Sequence, residues 1–368
     1  MFKCNPNIRR IGILTGGGDC PGLNAVIRAV AKDAMACGVE VMGIEDGFQG
    51  LIEDRMRVLQ YDDVSNILTM GGTVLGTSNK ANPSRVPVGK DAEGNWIFKD
   101  LTDVCMTHLE IHRIDALVVI GGDGTMSCAA PFVRRGVPCF GVPKTIDNDL
   151  WGSDLTFGFL TAVQIATDAL DRVHTTAASH HRVMVVEVMG RNAGWIALHA
   201  GVASGSDIIL LPEIPFDLES VCDAVEHRAQ RGRRFTIVCC SEGAKPRGGK
   251  QIVERVDPTS PDPIRLGGIG KWVAAQIEER SGVESRYCVL GHVQRGGTPV
   301  AADRVLATRF GYHATQLIRE GRANRLVVWK DGKLDDADIL SAEGKQRLVD
   351  PENHLISAAR SVGTSFGD

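Results

Sequence analysis

Short runs rich in valine and isoleucine recur along the 368-residue chain, and glycines or polar residues bound each of them. Apolar runs without alternating polar residues are typical of strands buried on both faces of a parallel sheet. We expect strands at 11–14, 40–44, 116–120, 139–142, 183–188, 208–211, 235–240, 287–290 and 326–329.

Segments of helical length separate these strands, and their apolar residues recur at spacings of three and four. Strands that alternate with helices predict an α/β fold with mainly parallel sheets. The length predicts two domains, with a boundary near 155–159. A loose surface segment is expected over 247–263. We expect helices over 23–37, 156–173, 218–230, 270–280 and 301–320.

The charges nearly balance, with 41 Lys and Arg against 45 Asp and Glu and a net charge of −4. We therefore expect no nucleic acid or membrane as partner, although local basic clusters could bind a small anion. The ten cysteines form no C-x-x-C pair, which predicts free and mostly buried thiols in a reducing cytoplasm. No apolar run reaches the length of a membrane span or a signal peptide.

Two glycine-rich turns follow predicted strands. TGGGDCPGLNAVIR occupies 15–28, and GGDGT occupies 121–125. Glycine lets backbone N–H groups approach an anion closely, and the helix N-terminus behind the turn adds partial positive charge. Both turns therefore predict a phosphate cradle, with an ordinary tight turn as the alternative. Neither the P-loop nor the dinucleotide-binding pattern fits.

Asp123 lies inside the second of these turns. A carboxylate beside bound phosphates is electrostatically costly unless a cation neutralises it. We therefore expect Asp123 to bind Mg²⁺, with a helix cap as the alternative role.

The stretch PKTIDNDL at 143–150 contains a pair of aspartates, Asp147 and Asp149. On an extended chain both would face the same side, as a general base and its partner require. An Asx-rich turn is the alternative. Lys144 and Thr145 supply the cation and the hydroxyl that transferring phosphoryl oxygens need, so the stretch predicts phosphoryl transfer.

The second half of the chain carries groups suited to a sugar phosphate. Arginine and histidine can bind the phosphate, and carboxylates can bind the hydroxyls. We expect each of them to follow or end an apolar strand. Taken alone, each residue has a surface ion pair as its alternative role. The set is Arg182, Met189, Gly190, Arg191, Glu242, Arg286, His292 and Arg295.

Together these segments resemble the 6-phosphofructokinases. The matching segments, in order over about 11–319, are TGGGDCPGLNAVIR, GGTVLGTS, VVIGGDGT, PKTIDNDL, VVEVMGRNAGW, SEGAKP and VLGHVQRGGTP. The resemblance implies two Rossmann-like lobes with the active site in the cleft between them. It also implies transfer of phosphate from ATP–Mg to the 1-hydroxyl of fructose 6-phosphate, a step of glycolysis.

The same resemblance implies an arrangement of lobes and subunits. Residues 1–158 with about 294–345 would form the donor lobe, and 159–293 with about 346–368 the sugar-phosphate lobe. A homodimer or homotetramer would share its sites across an interface.

The resemblance also implies roles for individual residues. Asp147 resembles the catalytic base, while Asp149 and Asp123 resemble the carboxylates that position the base and Mg²⁺. Thr145 and Arg191 resemble the groups that stabilise the transferring phosphoryl. Nucleotide-site counterparts are Gly17, Lys80, Gly122, Gly124 and Thr125. Sugar-phosphate counterparts are Met189, Gly190, Glu242, His292 and Arg295 of the same subunit, and Arg182 and Arg286 of a neighbouring one.

Two positions bear on the phosphoryl donor. Gly124 leaves room for the α-phosphate of a nucleotide, where a second aspartate would admit only pyrophosphate. Lys144 is the residue that pyrophosphate enzymes carry, so the pair resembles the mixed-substrate branch of the family. We expect ATP, because an open site admits it regardless of the lysine, and pyrophosphate is the alternative donor. Two further differences from many relatives are Asn79 with Lys80, in place of a bridging arginine, and Glu45, in place of an aromatic residue.

Two other functions are compatible with part of the sequence. An NAD or lipid kinase would keep GGDGT without needing PKTIDNDL or GHVQRGG. A non-catalytic sensor of nucleotides or sugar phosphates would be expected to lose Asp147, Thr145 or Arg191, and all three are present.

For several other charged residues, the alternative to a binding site is an ordinary role at the protein surface. His108 and His112 lack the order of a zinc-protease motif and are interpreted as an ordinary helix face. Positions near the effector phosphate site of allosteric relatives are Arg28, Lys32, Arg55 and Arg233.

Overall fold

The computed structural model describes residues 5–260 and 263–368, whose strands form two larger sheets and two separate hairpins. The strands are β1 (Arg10–Thr15), β2 (Glu40–Ile44), β3 (Met56–Val58), β4 (Val86–Lys90), β5 (Trp96–Lys99), β6 (Ala116–Gly121), β7 (Cys139–Thr145), β8 (Phe157–Gly158), β9 (Val183–Val188), β10 (Ile208–Leu210), β11 (Thr236–Ser241), β12 (Val253–Val256), β13 (Ile264–Leu266), β14 (Ser285–Val289), β15 (Arg325–Lys330) and β16 (Lys333–Asp338).

Helices alternate with most of these strands. They are α1 (Leu23–Ala36), α2 (Phe48–Glu53), α3 (Thr102–Ile111), α4 (Asp123–Arg134), α5 (Phe159–His180), α6 (Trp195–Ala203), α7 (Leu218–Gln230), α8 (Ile269–Ser281), α9 (Ala301–Glu320) and α10 (His354–Ser361). Short 3₁₀ turns lie at Asp62–Val64, Gly291–Arg295 and Ile339–Ala342.

The first sheet has the strand order β16-β15-β7-β6-β1-β2-β3, with β8 paired to β7. Its central strands are parallel, while β3 and β16 pair antiparallel at the two edges. Strand β6 is buried along its whole length, as an uninterrupted apolar run in a parallel sheet requires.

The second sheet has the order β10-β11-β9-β14, and all its pairings are parallel. Helices cover both faces of each sheet. One continuous core joins the two lobes, because buried residues of α5 such as Phe159 and Ala162 contact the same cluster as α1 and α6. This α/β architecture with mainly parallel sheets confirms the predicted fold class.

The predicted and observed elements differ most where backbone geometry sets the boundary of an element. Helix α5 begins at Phe159 rather than at 156, because Phe157 and Gly158 pair with β7 and Gly158 has a φ of 95°. It continues to His180 instead of ending at 173. The sequence patterns also missed both separate hairpins and the antiparallel strand β16.

The cysteines of the described residues are free thiols, and seven of these nine are buried. Cys4 lies outside the described residues. Within 5–260 and 263–368, no helix is both long and apolar enough to cross a bilayer.

Candidate active site

Strands β1, β6 and β7 lie side by side in parallel, so the turns that follow them meet at one edge of the first sheet. These turns begin at Gly16, Gly122 and Ile146. Ligands of open α/β sheets bind at this carboxyl edge. The two glycine-rich turns and the PKTIDNDL loop therefore converge at one place.

Backbone hydrogen bonds to adjacent segments hold the first glycine turn in place. The N–H of Gly16 donates to Ile120 O at 2.9 Å and that of Gly17 to Ser78 O at 3.1 Å. The N–H groups of Gly16 and Gly17 thus both have backbone partners, and the phosphate contact expected of Gly17 stays a prediction. A Cβ at Gly17 would lie 3.4 Å from both Lys144 Nζ and Thr125 Oγ1, so these two side chains lie directly beside the turn.

The second glycine turn opens helix α4 at Asp123. The buried Thr125 packs against both turns, since a Cβ on Gly16 or Gly121 would lie 2.6 Å or 2.2 Å from its side chain. A Cβ on Gly124, by contrast, would meet none of the described atoms within 4 Å. The space directly beside Gly124 is therefore open.

The aspartate loop after β7 is bent rather than extended. Asn148 has a φ of 53°, so the prediction that alternation on a straight strand aligns the two carboxylates is wrong in its geometry. The Thr145 hydroxyl instead organises the loop, because it donates to Asp149 Oδ1 at 3.2 Å and accepts from the Asp147 N–H at 3.0 Å. The side chain of Asn148 fixes the bend by accepting from Thr156 N at 2.9 Å.

Asp147 presents an unsatisfied oxygen in this site. Its Oδ1 is buried and has no hydrogen-bond partner among the described residues. Burial raises the pKa of Asp147, while Arg295, Lys144 and Arg191 oppose that rise. Such an oxygen is free to accept a proton or a hydrogen bond from a ligand.

The neighbouring carboxylates add negative charge. Burial, together with Asp147 and Asp123, raises the pKa of Asp149 to about 8. Like charges this close disfavour one another's ionised forms. The cluster therefore favours a ligand that brings positive charge.

Two cations lie near the first glycine turn. Lys144 is buried and donates from Nζ to Gly18 O, and burial lowers its pKa. Arg295 donates from its guanidinium to Asp19 O at 3.2 Å, and a Cβ on Gly18 would lie 2.8 Å from it. Arg295 thus contacts the donor side of the cleft, and its expected contact with the sugar phosphate stays a prediction.

The second lobe faces this cluster with the loop after β9. Gly190 has a φ of 137°, and a Cβ there would lie 2.5 Å from Ala193 O. Arg191 follows with a φ of 53° and donates from its N–H to Glu242 Oε1 at 3.0 Å. Burial raises the pKa of Glu242 to about 7, and the negative charge of Asp147 contributes to that rise.

The 3₁₀ turn at Gly291–Arg295, within the GHVQRGG motif, contacts the loop after β9. The N–H of Met189 donates to the buried Gln294 Oε1 at 3.4 Å. His292, two residues before it, is exposed. The turn thus joins the segment that carries His292 to the loop after β9.

Arg182 and Arg286 do not end strands, so that prediction is wrong for these two residues. Arg182 precedes β9, and Arg286 lies near the start of β14. Both therefore lie at the amino edge of the second sheet, opposite Met189 and Glu242. Each forms an ion pair with Glu284, at 2.7 Å and 2.5 Å.

Lys80 lies near the first turn but points to the other lobe. Its ammonium is 3.4 Å from Asp257 Oδ2, which follows β12 in the segment predicted to be a loose excursion. The Lys80 side chain is 61% exposed. It could therefore exchange Asp257 for a phosphate at little cost, because exposed ion pairs contribute little stability.

Surface contacts account for the other singled-out residues. His108 Nδ1 lies 2.8 Å from Leu51 O, and His112 Nε2 lies 2.7 Å from Asp54. Arg55 pairs with Asp46 and Glu53, and Lys32 lies over the ring of Tyr61.

Gln346 was not recognised in the sequence, although it contacts the carboxylate cluster directly. Its Nε2 donates to Asp123 Oδ2 at 3.3 Å and to Asp149 Oδ2 at 3.1 Å. Its surroundings in the sequence carry no motif, so only the fold could bring it to notice.

The described residues contain no group of three or more His, Cys, Asp or Glu side chains that could hold a metal ion by themselves. Mg²⁺ in phosphoryl-transfer sites is bound by one or two carboxylates together with substrate phosphates and water. Asp123 at the start of α4, beside the crowded Asp147 and Asp149, fits that kind of site.

Comparisons with known proteins agree with this geometry. A family model described as phosphofructokinase matches residues 10–318. The chain is 50% identical over 363 residues to ATP-dependent 6-phosphofructokinase 2 of Clostridium perfringens, covering 98% of this chain and 99% of that protein. It is 46% identical over 346 residues to the pyrophosphate–fructose 6-phosphate 1-phosphotransferase of Amycolatopsis methanolica, covering 94% and 97%. The crystal structure of Pichia pastoris phosphofructokinase in the T-state superimposes with a TM-score of 0.78 at 30% identity, over 91% of this chain and 35% of that one.

Proposed function

The chain belongs to the phosphofructokinase family, and on that premise we propose that it transfers the γ-phosphoryl group of ATP to the 1-hydroxyl of fructose 6-phosphate. The products are fructose 1,6-bisphosphate and ADP. The observation that carries this proposal is the buried, unpartnered Oδ1 of Asp147 at the point where both glycine turns and the Arg191 loop meet.

Asp147 acts as the general base in this reaction. A bond forms between the sugar O1 and the γ-phosphorus, the bond from that phosphorus to the β–γ bridging oxygen breaks, and the hydroxyl proton passes to Asp147. The raised pKa of Asp147 makes its carboxylate a better proton acceptor than an exposed aspartate.

Positive groups stabilise the charge on the transferring phosphoryl. Arg191 approaches from the second lobe, while Lys144 and Arg295 lie on the donor side. Thr145 keeps Asp149 and the Asp147 backbone in place. In a loose phosphoryl-transfer transition state, such positioning and neutralisation supply most of the catalysis.

Asp123 would hold Mg²⁺ together with the donor phosphates. When bound there, the ion supplies charge neutralisation for the phosphate oxygens and offsets the repulsion among the three aspartates. The N-terminus of α4, with Gly122, Gly124 and Thr125, would face the same phosphates.

ATP is the proposed donor because the space beside Gly124 is open. An α-phosphate with its nucleoside can extend into that space, whereas pyrophosphate does not need it. The relative from Clostridium perfringens is named as ATP-dependent and that from Amycolatopsis methanolica as pyrophosphate-dependent. Pyrophosphate is therefore the alternative that the test must include.

Fructose 6-phosphate would lie against Met189, Gly190, Glu242, His292 and Arg295. Arg182 and Arg286 are proposed to reach the 6-phosphate of a neighbouring subunit, in a homodimer or homotetramer. Their position at the amino edge of the second sheet supports this, because it separates them from the cleft of their own chain. Each would exchange Glu284 for the phosphate.

We propose that the donor lobe comprises 1–158 with about 294–345, and the sugar-phosphate lobe 159–293 with about 346–368. Pairing of β15 with β7 supports the first assignment. The bridge between Ile208 and Ser365 supports the second.

A coupled assay tests the function. Purified protein, Mg²⁺ and fructose 6-phosphate are supplied with either ATP or pyrophosphate, and fructose 1,6-bisphosphate is measured. Turnover with ATP is expected. Turnover with pyrophosphate alone would reject the donor, and tight binding of both substrates without turnover in either donor would reject the enzyme in favour of a sensor.

A further inference from the structure

Gln346 is the last of three hydrogen-bonded carboxamides that together cross the cleft. Gln251 donates to Asn192 Oδ1 at 3.3 Å, and Asn192 donates to Gln346 Oε1 at 3.4 Å. Gln346 in turn donates to Asp123 and Asp149. The chain thus connects the loop that carries Arg191 with two carboxylates of the donor lobe.

The orientation of the Gln346 amide is determined by its partners. Gln251 donates from Nε2 to the backbone oxygen of Gly243 at 3.1 Å, which fixes the direction of its amide. The same nitrogen faces Asn192 Oδ1, so the Asn192 nitrogen faces Gln346 Oε1. A flipped Gln346 amide would set its nitrogen against that of Asn192, and two donors would oppose each other. One –NH₂ group therefore uses both of its hydrogens to hold the two carboxyl groups of Asp123 and Asp149.

The backbone around Gln346 is fixed to both lobes. Gln346 forms a bridge with Leu150, and Arg347 N donates to Asp149 O at 2.7 Å. On the other side, Trp195 Nε1 donates to Arg347 O at 2.9 Å, at the start of α6. The amide is thus held in place by contacts that do not depend on the carboxylates themselves.

We propose that Gln346 is a positioning residue. It holds Asp123 and Asp149 in the positions relative to the Arg191 loop that phosphoryl transfer requires. This inference rests on the proposed function. Gln346 contacts no reacting atom in this scheme, since it acts through the two carboxylates, and Asn192 acts through Gln346.

Gln346→Met tests the inference, because methionine has a similar length and donates no hydrogen bond. We expect kcat to fall about tenfold or more, as loss of a hydrogen bond to a charged group implies, with KM for fructose 6-phosphate changed less than about threefold. The melting temperature should stay close to that of the wild type. Gln316→Met, which removes an amide from Glu320 on the remote helix α9, is the matched control and should leave kcat unchanged.

A double-mutant cycle separates positioning from general disruption. Because Asn192 acts through Gln346, Asn192→Ala should lower kcat in the wild type but add little in the Gln346→Met background. Additive effects, or an unchanged kcat in Gln346→Met, would overturn the proposal while leaving the kinase assignment intact.

Crystal structures of the ligand-free wild type and of Gln346→Met supply a readout that needs no activity. At least one of the two carboxylates is expected to rotate away from its present direction in the variant. If both stay in place, the positioning role is contradicted, whether or not the wild type turns over fructose 6-phosphate. If the wild type is inactive with either donor, the proposed function fails separately.

Discussion

The ammonium group of Lys144 donates a hydrogen bond to the backbone carbonyl of Gly18. This contact keeps the lysine at the first glycine turn, whereas the open space beside Gly124 lies at the second turn. The two residues therefore do not compete for the same volume. A lysine at this position can serve the terminal phosphates of either donor, so we propose that Gly124 decides between ATP and pyrophosphate.

Gly124→Asp should change the donor. An added carboxylate would occupy the open space and repel an α-phosphate, and a like-charge contact of this kind lowers kcat/KM for ATP by roughly 100-fold or more. Pyrophosphate should then become the better donor. Kinetics with both donors measure the change, and Gly124→Asn, of the same size without the charge, separates repulsion from bulk. Unchanged use of ATP by the aspartate variant would refute the role of Gly124.

Asp147→Asn should abolish most of the catalysis without loss of the fold. Removal of a general base lowers kcat by about 10²- to 10⁴-fold, while KM for fructose 6-phosphate should change little. The melting temperature should hold or rise, because the buried carboxylate is unfavourable when ionised. Steady-state kinetics and thermal melts check both statements, and a near-normal kcat would remove the assignment of the base.

Stability without ligands should depend on the ionisation of Asp149. Its pKa is about 8 in the folded protein against an ordinary 3.8, so between these values the folded state keeps a proton that the unfolded state has lost. The unfolded state then binds fewer protons, and stability falls as pH rises through this window. Asp149→Asn should flatten the fall, as thermal melts from about pH 5 to about pH 8 would show. Equal slopes for both proteins would contradict the buried, crowded environment of Asp149.

Arg286 should act in the site of a neighbouring subunit. Arg286→Ala and Asp147→Asn are each expected to be nearly inactive, for different reasons. When the two variants are unfolded and refolded together, mixed dimers contain one intact site, so about a quarter of the wild-type activity should return. Activity is measured before and after mixing. Failure to recover any activity from oligomers shown to be mixed would place both residues in the same chain's site.

Much of the fold followed from local pattern, because the buried strands are apolar runs and the helices between them have regular spacing. The glycine turns and the PKTIDNDL loop each follow such a strand, and the structure brings them together at one sheet edge. The bend at Asn148 was not predictable, because it depends on a positive φ that a contact with Thr156 maintains. For Arg182 and Arg286 the sequence predicted the wrong edge of the second sheet. A residue close to a strand in the sequence can lie at either end of that strand.

Gln346 shows a different limit of the sequence. Gln346 contacts Asp149 and Asp123, each of which precedes it by about 200 residues in the sequence. No local sequence pattern marks such a residue. A carboxamide has no composition or spacing rule that indicates a site. Only the return of the chain after β16 to the edge of the first sheet brings it to the carboxylates.

The most direct test of the account is a crystal structure with Mg²⁺, fructose 6-phosphate and a non-hydrolysable ATP analogue. The distance between the sugar O1 and the nearest carboxylate oxygen of Asp147 should be about 2.6 to 3.2 Å, with the γ-phosphorus in line on the other side of O1. If the closed complex places O1 beyond hydrogen-bond reach of Asp147, or directs it to another side chain, the proposed mechanism is contradicted.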